Sequence, residues 1–60
     1  MAWYTIFEVK TPTNSKVIFD GKASKEAALA AMNELHKITG SRVIVTKGKG
    51  TLGKFVAEIA

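Results

Sequence analysis

Cysteine is absent from this chain, which rules out a disulfide staple and a thiolate metal site and points to a reducing, cytoplasmic setting. Histidine occurs once, and a lone imidazole without thiol partners cannot build a metal centre. Long apolar runs are missing as well. The longest, Ala27 to Met32, falls far short of the roughly 20 residues that span a bilayer. The opening Met-Ala-Trp-Tyr-Thr-Ile-Phe lacks the charged start of a secretory signal. Acidic residues are few, five Asp plus Glu against nine Lys plus Arg, which leaves a formal charge of +4 and a pI near 9.7. Residues 1–60 have room for a single small domain, which buries only about 60% of its unfolded surface. An apolar content of 47% is enough to exclude wholesale disorder.

The residues that are present predict an α+β domain of order ββαββ. Trp3 to Lys10 is rich in aromatic and β-branched types and reads as a strand. Its alternation puts Trp3, Thr5, Phe7 and Val9 on one face and Tyr4, Ile6, Glu8 and Lys10 on the other. The turn formers Thr11 to Ser15 then lead into a second strand, Lys16 to Asp20, as an antiparallel hairpin. A helix is predicted over about 25–39, with Ser24 as N-cap, Glu26 in the first turn and Gly40 at the left-handed stop. Its apolar side gathers Ala28, Ala31, Met32, Leu35 and Ile38. Arg42 to Thr46 reads as a third strand, and Lys47 to Gly50 as a loop. The tail from Thr51 carries both helical and alternating spacings. Its shortness and Gly53 favour a strand that closes a second hairpin, giving a mainly antiparallel four-stranded sheet under one helix.

One helix covers one face of four strands, so the other face must meet water or a partner. Large apolar groups lie on both faces of every strand, more than a solvated antiparallel face needs, and contiguous apolar patches mark contact sites. Tyr4, Ile6, Ile18, Ile44 and Val56 are the candidate contact residues of that face.

The catalytic options are poor. Gly48 to Lys54 has the G-x-x-x-x-G-K spacing of a phosphate loop, but Phe55 stands where Ser or Thr should hold Mg²⁺. Gly50-Thr51-Leu52-Gly53 has the G-x-x-G form of a KH clamp, yet a strand rather than a helix precedes it. His36 reads as a half-buried boundary residue of the helix, and Ser24 is accounted for as a cap. Glu8 and Glu58 fall on the outer faces of the first and last strands, and no acid–base pair stands out. Neither catalysis nor a cofactor or metal is expected.

The basic balance is the remaining signal. Lys10 and Lys16 flank the first hairpin tip, Lys47, Lys49 and Lys54 crowd the second, and Arg42 joins them. With both tips at one end of the sheet, these cations beside Tyr4 or Trp3 would suit a single strand or a phosphate backbone. The expected function is non-enzymatic, sequence-independent nucleic-acid binding by Lys10, Lys16, Arg42, Lys47, Lys49, Lys54 and Tyr4. The alternative is a protein-interaction module on the uncovered face, either a homodimer or a small phage or bacterial inhibitor of a host protein.

Four pieces in order, Trp3 to Val9, Val17 to Asp20, Ser24-Lys25-Glu26-Ala27-Ala28-Leu29-Ala30-Ala31 and Val43 to Gly50, carry a family resemblance. Together they resemble small prokaryotic ββαββ domains of the DUF2188 type, in which an aromatic strand, a second strand, a capped helix and a glycine-rich hairpin come one after another. The resemblance covers most of the chain. It implies the fold and no site residues, and the chain departs from it at the Pro12-to-Ser15 turn and in the tail from Thr51.

Overall fold

Aromatic and β-branched residues carry the first hairpin further than its turn residues suggest. The computed structural model describes residues 1–49 and 53–60. In it β1, Ala2–Thr11, and β2, Asn14–Ala23, are both ten residues long. The second strand thus extends beyond the expected 16–20 at both ends, because Thr11 and Asn14 already pair across the turn. Next comes α1, Lys25–Thr39, with the expected bounds. The Ser24 hydroxyl oxygen accepts from the Ala27 N–H at 3.1 Å, which satisfies one donor the helix start would leave bare. At the other end Gly40 takes φ +71°, a left-handed conformation that side chains with a Cβ resist, and its N–H donates to the His36 carbonyl at 2.7 Å.

Strands β3, Arg42–Lys47, and β4, Lys54–Ile59, complete one sheet of order β2-β1-β3-β4 in which all neighbours are antiparallel. The tail is therefore a strand. Strands β2 and β3 point the same way but do not touch; β1 lies between them, and α1 makes the crossover. Close approach of the second hairpin requires glycine at position 53, where a Cβ would stand 2.7 Å from the Lys47 carbonyl oxygen.

The helix covers the even face of β1. Tyr4 (5% exposed) and Ile6 (1%) are packed with Val43 and Val45 beneath Ala28 and Met32. Leu29, Ala31 and Leu35 close over that cluster, with Val56, Ala57 and Ile59 at its β4 side. Burying aliphatic side chains such as Ile6, Val43 and Val45 contributes about 1.5–3 kcal/mol each. This corrects the expectation that Tyr4 and Ile6 lie on the uncovered face. The cause sits in β3 and β4: Val43, Val45, Ala57 and Ile59 share the side of Ile6, whereas Arg42, Thr46 and Glu58 share the side of Phe7. Covering the Phe7 side would bury those polar groups, so the helix takes the aliphatic side.

Two β-bulges change the strict alternation. Ile6 faces Phe19 and Phe7 faces Val17, which leaves Ile18 as an extra residue in β2. Val45 faces Ala57 and Thr46 faces Phe55, which leaves Val56 extra in β4. Phe19 and Ile59 consequently end on the helix side, while Val17 and Phe55 end on the open side. Glu8, expected on the outer face, is another correction: it lies on the helix side, buried, and opposite Lys16 of β2. Ile38 was expected on the buried helix stripe, but it is 76% exposed, because it lies on the β2 side of α1, where the helix leaves the sheet uncovered. No helix among the described residues is long and apolar enough to cross a membrane.

Candidate functional site

The face turned away from α1 is built around a buried threonine pair. Thr5 of β1 and Thr46 of β3 are register partners, and Phe55 of β4 continues the same row. Trp3 and Phe7 flank Thr5 along β1, about 13 Å apart at strand rise, and Phe55 lies about 10 Å across the sheet from Thr5. Three aromatic rings thus surround the threonines, and Phe55 is 64% exposed. Val17, Val9 and Ile44 extend this surface toward the first hairpin turn.

Trp3 is held in place from several sides. Its indole N–H donates to the Asp20 carboxylate, and the Lys49 ammonium stands 4.8 Å from the ring centre. The Thr5 hydroxyl donates to the Gly48 carbonyl at 2.8 Å, with the Asp20 carboxylate 3.1 Å from the same oxygen. The Gly48 N–H donates to the Trp3 carbonyl at 2.8 Å, so the start of the second loop is fastened to β1. Lys22 is the register partner of Trp3 on its other flank. An indole with an ammonium group over its ring and its edge fixed by a carboxylate shows that its face attracts cations.

The two hairpin tips lie at opposite ends of the sheet, contrary to the premise of a single cationic edge. Because β1 and β3 are antiparallel, the turn after β1 adjoins Arg42, whereas the loop after β3 adjoins Trp3. Charge nevertheless divides unevenly between these ends. The Trp3 end carries Lys22, Lys25, Lys47, Lys49 and Lys54 against Asp20 and Glu26. The far end carries Lys10, Lys16, Lys37 and Arg42 against Glu8, Glu34 and Glu58. Arg42 is further occupied by an ion pair with Glu58, and its Nε–H donates to the same carboxylate.

The sequence-derived candidates therefore separate. Lys49 stands beside Trp3, with Lys47 and Lys54 at the same end on the helix side; Lys10, Lys16 and Arg42 stand at the other end, and Tyr4 is buried under α1. Of the expected contact residues, Ile44 alone lies on the open face. Ile18 and Val56 are the bulge residues on the helix side, and Tyr4 and Ile6 are core. Phe55 and Lys22 are open-face residues that sequence reasoning left out of the site. The signal was available in Arg42 and Thr46, whose polarity on either side of Ile44 marks the open face. His36 is half-buried as expected, its Nδ1–H donating to the Ser41 carbonyl at 2.7 Å. Of the Gly48-to-Lys54 phosphate-loop match and the Gly50-to-Gly53 clamp, residues 50–52 lie outside the described residues. The chain continues from Gly53 into β4, so a strand and not a helix follows that loop. Among the described residues no group of three or more His, Asp or Glu could hold a metal ion.

Comparison with protein-family models, curated proteins and solved structures finds no match for this chain. The geometry of the open face is therefore the ground on which its function is read.

Proposed function

We propose that this domain is a non-enzymatic module that binds single-stranded nucleic acid, without sequence preference, across the sheet face opposite α1. The observation that carries the reading is the coincidence of half-buried Trp3 and exposed Phe55 with the lysine-rich end of the molecule. Bases unstack onto flat aromatic platforms, and each stacked base contributes about 1–3 kcal/mol regardless of its identity. Trp3, Phe7 and Phe55 offer such platforms on an open sheet, while Lys22 and Lys49 flank Trp3 for the phosphates. Lys47 and Lys54 project from the helix side of the same end, with stems long enough to bring their charge to the rim.

Fluorescence anisotropy with a labelled oligothymidylate of about 16 nucleotides tests this reading. Four lysine–phosphate contacts predict a log–log salt slope near −3, or about a fiftyfold loss of affinity between roughly 50 and 200 mM salt. Trp3 emission should change as a base stacks on the indole. No binding at low salt would refute the proposal. A second reading, a protein-interaction module, draws on a separate feature, the apolar groove between α1 and β2.

A further inference from the structure

An apolar groove lies beside the first hairpin. It has a volume of about 640 Å³ and runs between α1 and β2, over Ile18, Phe19 and Ala23 on the sheet and Ala31, Leu35 and Ile38 on the helix. It exists because α1 is centred over β1, β3 and β4 and leaves β2 uncovered. Ile18 and Phe19 are each 40% exposed in consequence. The Phe19 ring lies over Gly21, with 3.2 Å between the ring tip and the place a Cβ would occupy.

That groove adjoins a free sheet edge. Strand β2 is terminal in the sheet, and its outer backbone groups have no strand partner among the described residues. Natural edges are usually blunted by shortness or charge. The other edge, β4, is only six residues long and starts with Lys54. By contrast β2 has ten residues and three consecutive apolar ones, Val17, Ile18 and Phe19, at its centre.

We infer that β2 and its groove form the interface of a symmetric dimer, in which two copies pair β2 with β2 and continue the sheet to eight strands. The occupant must supply a strand at the edge and an apolar helix flank in the layer above it, and a second copy of this chain supplies both. The bulge at Ile18 then selects the register. A two-fold axis between Ile18 and Phe19 sets Ile18 against the second copy's Phe19, Val17 against its Asp20, Lys16 against its Gly21 and Ser15 against its Lys22. Each facing pair lies on one side of the sheet, which a shift of one residue either way would violate. No lysine faces a lysine. The ten-residue edge allows every rung from Asn14 against Ala23 inward, about 30 Å of paired backbone, with Ile18, Phe19 and Ile38 of both copies gathered above it. Ile38, 76% exposed and otherwise without purpose in the core, projects over this wall.

The dimer is independent of the nucleic-acid reading, and its test uses the intact chain without nucleic acid. Sedimentation equilibrium from micromolar to millimolar concentration should show a monomer–dimer equilibrium. Ile38→Lys, on a side chain that contributes little to its own fold, should raise the dissociation constant by about tenfold or more while leaving the helical circular dichroism unchanged. Ile18→Lys should do the same from the sheet side. Outer amides of β2 should gain hydrogen-exchange protection with concentration, and those of β4 should not. A monomer throughout, or a dimer indifferent to both substitutions with the fold intact, would overturn the inference.

Discussion

Lys47 and Lys54 face each other directly across β3 and β4, two like charges on one side of a two-strand rung. Facing residues in antiparallel strands have their Cβ atoms only about 4.5–5.5 Å apart, so this pair opposes folding. Substituting Lys54→Glu converts the repulsion into an attraction. Opposite-charge rungs contribute about 0.2–1 kcal/mol, and relief of the like-charge rung adds a similar amount, so the swing is about 1 kcal/mol. For a domain of this size that raises Tm by about 4–8 °C. Thermal unfolding followed by circular dichroism reads it. The gain is largest at low ionic strength and shrinks by more than half at about 1 M salt, where the screening length falls to about 3 Å. Lys16→Glu is the matched control: it sets a second carboxylate opposite buried Glu8 and should lower Tm instead. In nucleic-acid titrations Lys54→Glu should also flatten the salt slope by about 0.7, the loss of one single-strand phosphate contact. A variant no more stable than the parent at low salt, or one whose gain survives 1 M salt, would refute the rung itself. A stabilised variant with unaltered binding would keep the rung and remove Lys54 from the phosphate path.

Thr5→Val deletes the hydroxyl that holds the Gly48 carbonyl in a fully buried position, and should cost about 1–3 kcal/mol in urea denaturation while shifting Trp3 emission as the loop loosens. Ser24→Ala removes the acceptor for the Ala27 N–H and should cost about 1 kcal/mol in the same assay without touching the open face.

Much of the fold was legible because local chemistry specifies it. Ser24 and Gly40 bound the helix at both ends, and the β-branched run at 43–45 allows little but a strand. The facing of the sheet was not legible from β1 alone, since Tyr4 and Ile6 are as apolar as Trp3 and Phe7. Only the pairing of Ile6 with Val45, and of Phe7 with Ile44 between Arg42 and Thr46, separates the two sides. Period-two reading fails again at Ile18 and Val56, because a bulge moves each following side chain to the other face. The relation of the two hairpin tips depended on which strands are neighbours, a long-range fact that no local pattern contains. Lysines separated in the sequence, Lys22 from Lys47, Lys49 and Lys54, therefore share the Trp3 end of the sheet, whereas Lys10 and Lys16 do not join them.

The position of Arg42 bears on specificity. Bidentate reading of a base edge is chiefly the work of arginine, whose planar fork matches two acceptors at once. This chain has a single arginine, at the end of the sheet away from Trp3, with its guanidinium already engaged by Glu58. Every cation near the aromatic platform is a lysine, a point charge with no preferred partner geometry. Rings that stack on any base and ammonium groups that meet any phosphate recognise the polymer and not its sequence. Glu58→Gln would release the guanidinium, yet at 42 it lies at the opposite end of β3 from the platform. Affinity for different homopolymer strands should then still differ only by stacking strength. A strong preference for one base sequence in the parent chain would mean that another part of the surface makes the contact.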